Sequence, residues 1–365
     1  MFQNQQPARC WSGFESILPF FLAVIVIILA SVPARANLVI IPTFDSTITS
    51  DPNAAVIMNT ISNVIAVYQA SFSDPVTVTI LFHETASGLG QSQFYINTFS
   101  YSSVRANLAA GATTANDAKA LAHLPNTTTN PVNGSTTMTL TLPNARALGF
   151  SANTPAGQTD GDIYLNTSIM NYTRTNINGS KYDLYAVTAH EIDEVLGMTS
   201  ALDGLANGAL APTGNVESMD LFRYDQNGAR SFNTTLAAQA WFSLDGTNKL
   251  VRFNQNAGGD FQDWYSSGTP RIQDAFGTAG ATPDFNVEFI ALDVIGYHFL
   301  VPTIAIVKAG TGKETVSWLP RTPGFVLQES TNLLSTNWLN SASGTNNPVT
   351  VTNTTARKFF RVAHP

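Results

Sequence analysis

Cysteine is nearly absent: 365 residues contain one, Cys10, and it lies ahead of the apolar run near the N-terminus. Once that leader is removed the chain has no thiol, which excludes disulfides, thiolate metal sites and a cysteine nucleophile. Charge is also scarce, with 12% Asp, Glu, Lys and Arg together and a net charge of −7. No cluster of Lys and Arg occurs, so nucleic acid and anionic membrane surfaces, which need basic patches, are excluded as partners. A Gly-x-Ser-x-Gly elbow, a phosphate-binding loop, a dinucleotide fingerprint and an internal repeat are missing too, which removes serine-hydrolase and nucleotide chemistry. Apolar residues make up 44% of the chain, far too many for a disordered protein.

The single long apolar run, Ile17 to Ala30, is short for a membrane span and contains Pro19. It is followed by Ala34-Arg35-Ala36, a small-x-small pattern that predicts signal-peptide cleavage before Asn37. The expected organisation is a signal peptide at 1–36, a main domain at 37–301 and a small β-module at 302–365, exported to the cell exterior or surface. Leu38 to Pro42 reads as a first strand stopped by proline. Asp51 to Gln69 has helical spacing, with Ile57, Ile61, Ile65 and Tyr68 on one face. Val76 to Phe82 alternates as a strand and Gly161 to Asn166 is a second. Short helices are expected at 103–110, 115–124 and 289–297, and residues 199 to about 290 are loop-rich. Beyond Pro302, short β-type runs alternate with Gly, Pro and Asn turns, and Trp318 and Trp338 are the expected core of that module.

The clearest helix is Leu184 to Met198, closed by Gly197. It carries His190-Glu191-Ile192-Asp193-Glu194. In the pattern His-Glu-x-x-His, two imidazoles four residues apart share one helix face and bind a metal, while the glutamate takes a proton from water. Here the second ligand position is Glu194, whose carboxylate also binds divalent ions and shifts the site from imidazole-rich towards oxygen-rich metals. The plain alternative is a solvated polar face with an internal hydrogen bond. Ser200, Asp203, Glu217 and Asp220 are further ligand candidates beyond the helix, and Met219 is either a methionine turn or core packing. Ser168 to Tyr172 resembles such a turn but precedes the helix. His83, His123, His298 and His364 have no partners at ligand spacing.

Five segments in order, Gly161 to Asn166, Thr188 to Gly197, Met219 to Tyr224, Trp241 to Gly246 and Ala291 to Tyr297, resemble the secreted bacterial metalloproteases of the metzincin or leishmanolysin-like kind. The resemblance implies an α+β, zincin-like catalytic domain whose active-site helix lies under a small mixed sheet, followed by a β-sandwich-like module. It implies a metalloendopeptidase that uses one divalent metal, zinc first with manganese or calcium as alternatives, on extracellular protein or peptide substrates. His190 and Glu194 would be ligands and Glu191 the general base. The family's later His-Trp pair corresponds to Asp263-Trp264, which makes Asp263 the third ligand, and Asp274 matches an acid of the next motif. Two acids in place of two histidines fit either a carboxylate-rich metal shell or a scaffold turned to binding or adhesion. The terminal module would be a point of glycan contact.

Overall fold

The computed structural model describes residues 37–319, 325–334, 337–352, 355 and 357–363. The expected signal peptide lies outside them. The fold is mixed α+β with several small sheets. The main sheet contains β1 (Val39–Phe44), β2 (Thr77–Glu84), β3 (Gly90–Phe94) and, further along the chain, β6 (Gly161–Leu165), in the order β1-β2-β6-β3. The first three in that spatial order run parallel and β3 is antiparallel to β6 at the edge. Pro42 does not stop β1 as the sequence suggests. The strand is an edge, where a missing N–H leaves no ladder bond unmade.

Helices α1 (Ser46–Thr49) and α2 (Ala54–Ser71) separate β1 from β2, and Ile57, Ile61, Ile65 and Tyr68 are buried as the spacing predicts. A hairpin of β4 (Ile96–Ser100) and β5 (Thr137–Thr141) brackets α3 (Tyr101–Gly111) and α4 (Ala115–Ala122), and α5 (Leu142–Ala147) follows. After β7 (Met170–Asn171) and β8 (Tyr182–Asp183) comes α6 (Leu184–Leu196), the helix with the His-Glu segment. Its first turn is capped by the Asp183 carboxylate on the Tyr185 N–H, and Gly197 ends it at φ 121°, where a side chain would be strained. One face packs on α2 and the other under β3 and β6. Close approach to the sheet depends on two glycines: a Cβ on Gly161 would lie 2.6 Å from the Val195 side chain, and one on Gly90 would lie 2.3 Å from Glu191.

The rest of the main core contains α7 (Leu202–Ala206), a small sheet of β9 (Arg223–Asp225), β10 (Ala240–Phe242) and β11 (Val251–Arg252), and α8 (Val287–Val294). Beyond it, β12 (Thr303–Gly310), β13 (Lys313–Leu319) and β16 (Val349–Thr352) form one sheet, while β14 (Val326–Ser330), β15 (Leu339–Asn340) and β17 (Phe359–Ala363) form another. These two sheets share a small separate core of Val316, Trp318, Leu327 and Val351. Trp318 fills it as expected. Trp338 does not: it is half-buried beneath the Arg361 guanidinium, 4.7 Å from the ring centre. Among the described residues no helix is long and apolar enough to cross a membrane.

Candidate metal centre

On α6, Ala189, Ile192, Val195 and Leu196 supply the buried apolar side, which rotates His190 and Glu194 together towards the opposite face. The His190 Nε2 lies 3.7 Å from Glu194 Oε1 and 3.5 Å from Asp263 Oδ1. One donor atom from each residue falls within 4.8 Å of the other two, so the group can hold a metal ion. His190, Glu194 and Asp263 are thus brought together as the sequence and the resemblance led one to expect.

Asp263 is delivered by the segment from Asn254 to Ala275, which has little regular structure and is fixed by side chains. Trp264 is fully buried, and its indole N–H donates to Glu288 Oε1 on α8 at 2.9 Å. Its backbone bridges Phe253 on one side and Asp274 on the other. The buried Arg223 guanidinium donates to the carbonyls of Phe261 (2.6 Å) and Asn254 (2.9 Å) and to Gln255 Oε1. Arg223 therefore clamps the segment and makes no pair with Glu194.

A second layer of donors surrounds the ligand atoms. Gln262 Nε2 donates to Glu194 Oε1 at 2.8 Å and Ser92 Oγ, on β3, to Glu194 Oε2 at 2.5 Å. Gln273 Nε2 donates to Asp263 Oδ1 at 2.9 Å. The His190 Nδ1 lies 3.1 Å from the carbonyl of Ile272, a contact that needs a proton on Nδ1 and leaves Nε2 facing the two carboxylates. None of these donors was foreseen. Ser92 sits on an edge strand of polar residues with no periodic signal, and the only sequence cue for Gln262 is its place beside Asp263.

The electrostatics are those of three acids crowded around one base. Burial pushes the Glu191 carboxyl well above the usual range, and the Glu194 charge adds to it. Burial also raises Asp263 well above its ordinary value against the pull of His190. Burial raises the Glu194 carboxyl, but the neighbouring His190 imidazole and the hydrogen bonds from Ser92 and Gln262 outweigh it and leave the carboxyl below normal. Burial disfavours charge on His190, but Asp263, Glu194 and Glu191 overcome it and raise the imidazole well above 6.5. Glu191 is 5% exposed and has no hydrogen-bond partner among the described residues.

All four residues line a cavity of about 760 Å³ bounded by β3, α6 and the loops at 258–263 and 270–283. Asp203 and Glu217 lie on its wall, each pushed up to about 7 chiefly by burial. Asp203 accepts from the Phe261 N–H at 3.3 Å and stands outside the ligand group, as does Glu217. Asp220 is a structural acid, accepting from Ser200 Oγ, the Ala201 N–H and the Glu217 N–H. Met219 is in the main core, and so is Met170. Asp274 lines the cavity and takes the Arg271 N–H on Oδ2, also outside the ligand group.

The donor set fits a divalent cation: one imidazole nitrogen with its proton placed on the far side, and two carboxylate oxygens each already oriented by an amide. No protein-family model, curated protein or solved structure matches the chain.

Proposed function

We propose that the chain is an exported, metal-dependent endopeptidase with a zincin-like domain at 37–301 and a β-sandwich-like module at 302–365. The observation that carries this reading is the convergence of His190, Glu194 and Asp263 beside an unpartnered Glu191 in one cavity. Zinc is the first candidate for the ion, with manganese and calcium next because two of three ligands are carboxylates. A bound divalent cation would supply Lewis acidity, polarising an oxygen placed against it. The chain's own groups do the rest. Ile272 holds the His190 tautomer, Glu194 and Asp263 supply negative charge, and Glu191 is free to take a proton from water and return it to a leaving amine. The 760 Å³ cavity accommodates several residues of an extended peptide.

Metal content by mass spectrometry, with peptide hydrolysis assayed beside it, tests the reading. Wild type is expected to carry close to one ion per chain, lost in His190→Ala and Glu194→Ala. Glu191→Gln is expected to keep the ion and lose roughly 10²–10⁴ in rate. A wild type that takes up neither zinc, manganese nor calcium would end the enzyme reading.

One observation favours a second reading. Ser92, Gln262 and Gln273 already satisfy the Glu194 and Asp263 oxygens, and His190 lies between the two acids. A charged imidazole in that position makes a closed ion-pair network that needs no metal, as in a binding or adhesion protein whose terminal module contacts glycans. The same metal titration separates the two.

A further inference from the structure

The two oxygens that face His190 Nε2, Glu194 Oε1 and Asp263 Oδ1, each accept a hydrogen bond from a glutamine amide, and both glutamines come from the same segment as Asp263. Gln262 reaches across to the helix ligand, while its neighbour Asp263 is the loop ligand and is held in turn by Gln273. Both side chains are nearly or fully inaccessible, Gln262 at 7% and Gln273 at 0% exposure. Burying an amide among carboxylates gains nothing for a core that apolar side chains could fill more simply. An N–H donor on a carboxylate oxygen occupies one lone pair and leaves the other with a fixed direction. Orientation of this kind is how outer groups tune a metal ligand. A glutamine also brings no charge of its own. In a cavity wall already carrying Glu191, Glu194, Asp203, Glu217, Asp260 and Asp263, a neutral donor orients the ligands without adding to their repulsion.

We propose that Gln262 and Gln273 are positioning residues for the metal site, holding Glu194 and Asp263 as one-oxygen ligands aimed at a common point with His190 Nε2. This rests on the metal reading above and goes beyond it, because it assigns the affinity of the site to two residues that do not touch the ion. Ser92 does the same for Glu194 from the sheet side, through its other oxygen.

The test is manganese(II) binding to the purified protein, read from the loss of the free-ion electron paramagnetic resonance signal, with thermal melting of the metal-free protein alongside. Gln262→Met and Gln273→Met keep side-chain length and remove the donor, and Gln158→Met at an exposed position is the control. Each of the first two variants is expected to weaken manganese binding roughly 10- to 100-fold, while the control is unchanged. The metal-free melting temperatures of Gln262→Met and the control are expected to agree within a few degrees, so that the loss belongs to the ligand and not to the fold. Should Gln273→Met unfold, Gln262→Met and Ser92→Ala carry the test on Glu194 alone. Wild-type affinity in these variants would overturn the proposal while leaving the metal site standing. A wild type that takes up no manganese, zinc or calcium would remove the site and the proposal with it.

Discussion

Gly90 has no room for a methyl group. A Cβ there would meet Glu191 Oε1 at 2.3 Å and Val187 Cγ1 at 2.8 Å, so these two side chains would have to give way. Gly90→Ala is expected to cost about 1–3 kcal/mol by overpacking. Because the displaced group is Glu191, peptide hydrolysis should fall on the order of tenfold or more beyond what the lost stability explains. Denaturant melts beside rate measurements check this, and a variant with full activity would separate Glu191 from the edge strand. A second buried acid makes a pH prediction. Asp293, on α8, is held near 7 by burial first and the Asp117 charge second, against an ordinary 3.8. Its Oδ2 accepts from Thr114 Oγ1 and Asn116 Nδ2, while Oδ1 is buried without a partner. A raised acid means that the folded chain keeps a proton the unfolded chain has released. Its contribution is therefore full below about pH 4 and is lost as pH climbs through about 7. At ~1.4 kcal/mol per pH unit across that interval, the loss is bounded at about 4 kcal/mol. Asp293→Asn should flatten this part of the stability profile between pH 4 and 8 and be more stable than wild type at pH 8. An unchanged slope in chemical denaturation would discharge Asp293 as its source.

At the scale of elements, the site joins a helix that obeys local rules to a loop that does not. The α6 helix was legible because the His190–Glu194 interval and the terminal Gly197 act within a few residues of one another, while its Asp183 cap was not foreseen. The strands β2 and β6 were legible for the same reason. The loop from Asn254 to Ala275 was not, because its conformation is set by partners far along the chain: Arg223 from β9, Glu288 from α8 and Asp203 from α7. Asp263 was reached only by likeness to a motif, and Gln262, Gln273 and Ser92 not at all. Trp338 was misplaced because an aromatic ring is satisfied by a guanidinium face as well as by a core. The Trp264 anchor gives this element its own prediction. Trp264→Phe keeps most of the buried ring but removes the donor to Glu288 Oε1, leaving a buried acceptor short of one bond at a cost of about 1–3 kcal/mol. Since Trp264 follows Asp263 directly, metal affinity should fall together with the melting temperature. Full metal affinity in a destabilised Trp264→Phe protein would show that the ligand is positioned from elsewhere.

Across the whole molecule, acidic side chains are few but concentrated. The chain has 25 acids in 365 residues, and Asp183, Glu191, Glu194, Asp203, Glu217, Asp260, Asp263 and Asp274 all line one cavity with only His190 and Arg271 as basic side chains. Such a cavity favours peptides rich in Lys and Arg, and raising salt from about 50 to 500 mM should weaken their binding more than that of neutral peptides of equal length. Equal salt response in both series would count against charge as the selecting feature. The division of the ligands between Glu194 and Asp263 has a different consequence for the molecule as a mechanical object. An ion held by both would close a loop of about 70 residues from Glu194 to Asp263, which in chain-entropy terms restricts the unfolded chain by about 4 kcal/mol. That is the service a disulfide performs in many small proteins, and here the sequence has a single cysteine, Cys10, outside the described residues. The ion would be this protein's staple, so that chelation should expose the 254–275 loop to proteolytic nicking well before it unfolds the chain.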